Sequence, residues 1–229
     1  MRLQQALGYQ YRDQSLLLRA VTHRSAGASN YERLEFLGDG LLNFVIGAAL
    51  FEHRSKAEEG DLSRLRASLV RESTLAEIAR ELQLAEVIGL GPGELRSGGF
   101  RRKSIQADIV EALIGAAYLD GGFEASQALV LRLFATRLKN LPDPQSLKDA
   151  KTQLQELLQA QGRPLPEYST TGADGPPHKQ VFTVRCFRGR CRPAGSGHES
   201  SASGASRRKA EQNAARALIE TIFSEQDDA

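Results

Sequence analysis

Cysteine is scarce in this chain: Cys186 and Cys191 are the two in 229 residues, with no second pair to complete a zinc site. Free thiols in a reducing compartment are the expectation. The N-terminal stretch MRLQQALGYQYRDQ holds no apolar h-region, which excludes a signal peptide from the reading. The longest apolar run is shorter than a membrane span and begins at carboxylates. A cytoplasmic protein with no membrane contact is therefore expected. Charge imbalance is missing as well: 30 Lys and Arg face 28 Asp and Glu, a net charge of +2. Bulk composition thus announces no nucleic-acid partner. What remains, 41% hydrophobic and 25% charged, is ordinary globular composition, long enough for one large domain or two smaller ones.

The most informative stretch is Asn30–Phe51, NYERLEFLGDGLLNFVIGAALF. Glu32, Glu35 and Asp39 stand at i, i+3 and i+7, within roughly 60° of one another on a helix. Leu34, Leu37, Leu41 and Phe44 are expected on the opposite face. From Leu41 onward apolar residues surround the helix, which predicts burial on most sides. Acids at a helix start are ordinarily explained by the macrodipole, with Arg33 as a partial counter-charge. Gly38 and Gly40 weaken that explanation, because each costs about 1 kcal/mol relative to Ala in a helix interior. Something must approach this backbone closely, and a cation site supplied by further ligands is the sharper reading.

Helical patterning continues through residues 1–141, with no strand-like alternation before residue 160. Gln14–Ala20 has helical spacing, and Thr22–Asn30 is a polar connector. Glu58–Asp61 reads as a turn opening a helix over Leu62–Val70. Ser73 is the expected N-cap of a helix over Thr74–Leu82. Gly89–Gly99, with five glycines and one proline, reads as a loop followed by Arg101, Arg102 and Lys103. A helix from Ser104 is expected to stop at Gly121–Gly122, before a last one over Phe123–Leu138. Two prolines mark residues 142–147 as a linker. Beyond it, residues 148–223 read as helix (Leu147–Ala160), strands at Glu167–Thr171 and Gln180–Phe187, and a third near Gly189–Ala194. A Gly/Ser/Ala loop at Gly195–Ser206 and a helix over Ser206–Phe223 follow. The order α-β-β-β-α predicts both helices on one face of an antiparallel sheet. Residues 148–220 carry twelve Lys and Arg against seven Asp and Glu, a surplus partly hidden by an acidic tail over 224–229.

Asp108 and Glu111 repeat the acidic device at i, i+3, with Ile109, Val110, Leu113 and Ala117 on the other face. With Glu35 and Asp39 they give four carboxylates on two apolar helices. Two like charges at 4 Å repel by roughly 4 kcal/mol at an effective dielectric near 20, so such a set persists only if protonated, paired or metal-bound. Oxygen ligands without His or Cys suit Mg²⁺, with Mn²⁺ as a substitute. Such an ion neutralises a phosphodiester and activates water against it.

The segment ERLEFLGD at Glu32–Asp39 closely resembles the signature of ribonuclease III, the family that cuts double-stranded RNA. THRS at Thr22–Ser25, EGDLSRLRASLV at Glu59–Val70 and ADIVEALIGAAYLD at Ala107–Asp120 stand in that family's order and spacing. The resemblance implies an all-α endonuclease domain over 1–141, with Glu35, Asp39, Asp108 and Glu111 as metal ligands and Asp39 and Glu111 as the catalytic pair. Glu32 and Glu59 match acidic positions near the family's dimer interface and substrate cleft. It further implies a homodimer needing no small-molecule cofactor. The products would carry 5′-phosphates, 3′-hydroxyls and short 3′ overhangs, from substrates that include ribosomal RNA precursors and other structured transcripts. The chain departs from the pattern at Gly40, where Ser is usual, and at Tyr31, where Asn is common. Neither departure falls on an expected ligand.

KTQLQELLQ at Lys151–Gln159, GPPHKQVFTV at Gly175–Val184 and GASRRKAEQNAA at Gly204–Ala215 resemble the double-stranded RNA-binding domain. A helix start carrying Arg207, Arg208 and Lys209 combines cations, a positive dipole end and backbone N–H groups, and cations placed against the dipole favour an anionic partner. The resemblance implies that His178 reaches a minor groove and that Thr152, Gln153 and Glu156 meet 2′-hydroxyls. Glu211 stands where many such domains carry lysine. The contrasting reading is a non-catalytic RNA-binding protein on a decayed nuclease domain, which the loss of any of the four carboxylates would have favoured.

Overall fold

The computed structural model describes residues 2–176, 179–187 and 199–227. His178, Cys191 and the strand expected near Gly189–Ala194 lie outside them. The chain divides into two compact units, Met1–Leu147 and Lys148–Ala229. The segment read as a linker includes a 3-10 turn, Pro144–Leu147, and Leu147 packs on the first unit's core.

The first unit is helical: α1 (Arg2–Leu7), α2 (Gln14–Ala20), α3 (Glu32–His53), α4 (Glu59–Val70), α5 (Glu72–Glu81), α6 (Pro92–Arg96) and α7 (Lys103–Lys139). Local chemistry sets several ends. Asp13 caps α2 by accepting from Ser15 N at 2.8 Å, and Pro92 opens α6 at its first position, so the glycine-rich loop contains a helical turn. Within α7, Gly122 leaves helical geometry (φ 80°, ψ −172°), a conformation open to glycine alone at no cost. Ser73 is not the cap of α5. The chain turns at extended Arg71 (φ −65°, ψ 151°), which puts Ser73 inside the first turn, and Thr74 Oγ1 instead ties to Ser68 O at 2.8 Å.

Helices α3 and α7 form the centre of this unit, and their contact runs through glycine. A Cβ on Gly38 would overlap the Glu111 carbonyl oxygen, and one on Gly115 would overlap the Leu34 carbonyl oxygen. The buried stripe of α3 is Leu34, Gly38, Leu42, Val45, Ile46, Ala49 and Leu50, in which each residue has a neighbour three or four positions away. That corrects the expected apolar face. Phe44 is 62% exposed, and Phe36 and Phe51 are exposed too, because the stripe follows the glycine rather than Leu37. Among the described residues α3 alone is long and apolar enough to cross a membrane, but its apolar stripe is packed against α7.

In the second unit, α8 (Ala150–Ala160) and α9 (Arg207–Asp227) accompany β1 (Glu167–Asp174), β2 (Val181–Phe187) and β3 (Glu199–Gly204). The sheet is antiparallel in the order β1-β2-β3, with Tyr168 opposite Cys186 and Cys186 opposite Ser200. Leu154, Leu158, Cys186, Ala214, Leu218 and Ile222 form its core. Strand β3 lies in the stretch expected to be a loop. Its small residues let α9 approach: Ser200 Oγ donates to Ala214 O at 2.6 Å, and a Cβ on Gly204 would meet Ala210 N at 2.6 Å. Composition reads such Ser/Ala strands as loops, although close packing requires them.

Candidate metal centre and nucleic-acid face

The glycine contact brings the acids of α3 and α7 together. Glu35, Asp108 and Glu111 each place a carboxylate oxygen within 4.8 Å of the others. All three are partly buried. Burial, then the charges of Asp108, Glu32 and Asp39, pushes the Glu35 carboxyl up to about 7. Burial, then Asp39, Glu35 and Asp108, pushes Glu111 up to about 8. Burial also raises Asp108, partly opposed by a hydrogen bond from Tyr31. Three carboxylates crowded to this degree, with oxygen the only donor, match a hard divalent cation.

The fourth expected ligand stands apart. Asp39 is exposed, and its Oδ1 accepts from Asn43 Nδ2 at 2.8 Å, although its charge still acts on Glu35 and Glu111. Glu32 faces Arg24 at 3.3 Å. Glu59 accepts from Ser63 Oγ at 2.7 Å. Neither belongs to the carboxylate cluster. At Gly40 a Cβ would meet nothing within 4 Å, so the position is open to a side chain. Tyr31, which the sequence marks as a departure but not as part of the site, donates from Oη to Asp108 Oδ2 at 3.0 Å. Its position directly before the acidic motif was the available signal. A cavity of about 470 Å³ beside the cluster is lined by His23, Arg24, Tyr31, Glu35, Arg102 and Asp108.

This crowding carries a pH dependence. In the metal-free protein Glu35 and Glu111 keep protons that the unfolded chain releases near the ordinary glutamate value of 4.5. The folded state therefore binds more protons from there up to about pH 8. Stability falls as pH rises across that window. Thermal melts in chelator are expected to show a lower melting temperature near pH 8 than near pH 6. Added Mg²⁺ should restore stability chiefly at the higher pH. A chelated protein that melts at one temperature across the window would contradict the crowding.

The second unit presents its cations at the start of α9. Ser206 caps this helix, accepting from Lys209 N at 3.2 Å, and Arg207, Arg208 and Lys209 are exposed. An open groove of about 640 Å³ runs between α8 and α9, with Lys151, Thr152, Arg207, Arg208 and Glu211 among its lining. Glu211 pairs with Lys151 at 2.7 Å and Arg207 at 3.3 Å, which the sequence did not disclose. Thr152 is exposed, with its N–H on the Asp149 cap at 2.9 Å. Gln153 Nε2 donates to Lys148 O at 3.3 Å, and Glu156 pairs with Lys148 at 2.6 Å.

Comparisons with known proteins agree with this division. Residues 13–138 match the Ribonuclease-III-like family and residues 150–222 the double-stranded RNA binding motif. The chain is 52% identical over 221 residues to Ribonuclease 3 of Shewanella amazonensis, covering 96% of each protein. It is 50% identical over 229 residues to Ribonuclease 3 of Nitrosococcus oceani, covering 99% of this chain and 96% of that one. A solved nuclease domain of Campylobacter jejuni ribonuclease III, described for flexibility in a region involved in dimer formation, superposes with a TM-score of 0.58. It is 46% identical and covers 59% of this chain and 95% of its own.

Proposed function

As a member of the ribonuclease III family, the chain is an endoribonuclease of double-stranded RNA, and we propose that Glu35, Asp39, Asp108 and Glu111 equip it with Mg²⁺. The observation that carries this is the trio Glu35, Asp108 and Glu111, converged within 4.8 Å on a glycine-lined helix contact. Mn²⁺ fits the same donors. Bound there, the ion supplies charge neutralisation on the phosphodiester and activation of water. Water adds to phosphorus and the bond to the 3′ oxygen breaks, which leaves a 5′-phosphate and a 3′-hydroxyl. Asp39 would have to leave Asn43 to join the set. Glu111 is the most strongly shifted of these acids and must give up its proton before it serves as a ligand.

We assign catalysis to the first unit and the grip on RNA to the second. Phe36, Phe44 and Phe51 are exposed on α3, and Phe44 meets Phe123 edge-on at 5.8 Å between ring centres. We read this apolar surface as the place where a second copy docks, with one cleavage site per subunit and staggered cuts giving short 3′ overhangs. Ribosomal RNA precursors, the family's usual substrates, and other structured transcripts fit this reading, as does a cytoplasmic location. Membrane and small-molecule cofactor have no part in it.

One experiment with two arms tests the assignment. The full chain should cut an RNA duplex in Mg²⁺ and not in chelator, and should spare DNA of the same sequence. Arg208→Gln should weaken binding to every RNA duplex and flatten its salt dependence by about one charge. Arg207→Gln should do less, because Glu211 already offsets that cation. DNA cleavage, cutting in chelator, or equal losses at Arg207 and Arg208 would count against the corresponding part.

A further inference from the structure

We propose that Tyr31 is a positioning residue of the metal centre, holding Asp108 in place with its phenol while its backbone caps the helix that carries Glu35. The inference rests on the metal-site reading above and adds to it a group that chain order sets apart from α7. Tyr31 is 3% exposed. Its carbonyl accepts from Leu34 N at 2.8 Å and Glu35 N at 2.9 Å, which starts α3. Its Oη donates to Asp108 Oδ2 at 3.0 Å on α7. One buried residue thus touches both acidic helices at the level of the carboxylates.

The residue is itself held firmly. Tyr31 N donates to Thr22 O at 2.9 Å, and the ring lies against His23 with centres 5.6 Å apart. The same connector grips the glycine-rich loop. His23 N donates to Gly89 O at 2.9 Å, and Ser25 Oγ accepts from Gly91 N at 2.9 Å. A Cβ on Gly91 would overlap the Ser25 carbonyl oxygen, so loop and connector are in backbone contact. Without a donor, the last torsion of an aspartate is broad, and crowding by Glu35 and Glu111 gives Asp108 no reason to stay. The phenol supplies an attractive partner of fixed direction. Partners of this kind set the affinity of a metal site, and their loss typically costs 10–100-fold. The expected Asn at this position would lack the ring that fills the space against His23. Tyr31 is therefore a change at the site and not beside it.

Tyr31→Phe keeps the ring, the cap and the buried shape while removing the donor. Direct titration of the RNA-free full chain with Mn²⁺, followed by electron paramagnetic resonance, should show affinity reduced by about tenfold. The metal-free melting temperature should change little, and cleavage should recover at saturating Mn²⁺. Asp108→Asn serves as the control, and adding Tyr31→Phe to it should cost no further affinity, because the hydroxyl acts through that carboxylate. Unchanged Mn²⁺ affinity in Tyr31→Phe, or a variant that fails to fold, would make the phenol structural and overturn the proposal. Absence of Mn²⁺ binding in the unmodified chain would instead remove the metal-site reading itself.

Discussion

Glu111→Gln should lose more than about 100-fold in cleavage rate at any Mg²⁺ concentration, because a direct ligand must cost more than the 10–100-fold typical of its supporting partners. The amide preserves shape and volume, so folding is spared. It also removes a partly buried acid pushed up to about 8 by burial and by its neighbours. The metal-free variant should therefore resist rising pH better than the unmodified protein, with less loss of melting temperature between about pH 6 and 8. Binding to an RNA duplex should persist, since Arg208 and Lys209 lie on the other unit. The combination of dead chemistry, retained binding and improved metal-free stability is specific. A variant that cuts at near the unmodified rate in saturating Mg²⁺ would remove Glu111 from the ligand set.

The acidic pairs were legible because carboxylates at i, i+3 on apolar helices are conspicuous in a one-dimensional pattern. Their partners were not. Tyr31 reaches Asp108 across 77 positions, and no periodicity records a contact between a connector and a distant helix. Helical spacing places Phe44 on the buried face with Leu34, Leu37 and Leu41, yet it is 62% exposed, because the packing stripe passes through Gly38, a residue with no side chain to register. Strand β3 was hidden for a related reason. Ser200, Ala202 and Gly204 are small because α9 lies close against them, and smallness reads as loop. Glu211 looked like a missing lysine, whereas in the structure it engages two cations. Composition reports what a residue is, and these roles depend on what faces it.

Gly38→Ala should be the most damaging single-methyl change in the first unit. Substituting Ala for Gly inside an exposed helix normally gains up to about 1 kcal/mol. At Gly38 the added carbon would overlap the Glu111 carbonyl oxygen, with the Gly115 backbone N 3.0 Å away. Both obstacles are backbone in a long helix, which cannot swing aside as a side chain does. The helices must separate, and overpacking of this kind costs about 1–3 kcal/mol or more. Since the overlapped atom belongs to Glu111, separation also opens the carboxylate cluster. The fraction that remains folded should then bind Mn²⁺ more weakly. Gly40→Ala, two residues along the same helix, is the internal control: no atom lies within 4 Å of its Cβ, so it should hold or raise the melting temperature. Thermal melts and Mn²⁺ titrations of the two variants side by side decide the matter. If Gly38→Ala melts at or above the unmodified protein, the helices are not in backbone contact there, and the acids of α3 and α7 must be brought together by some other means.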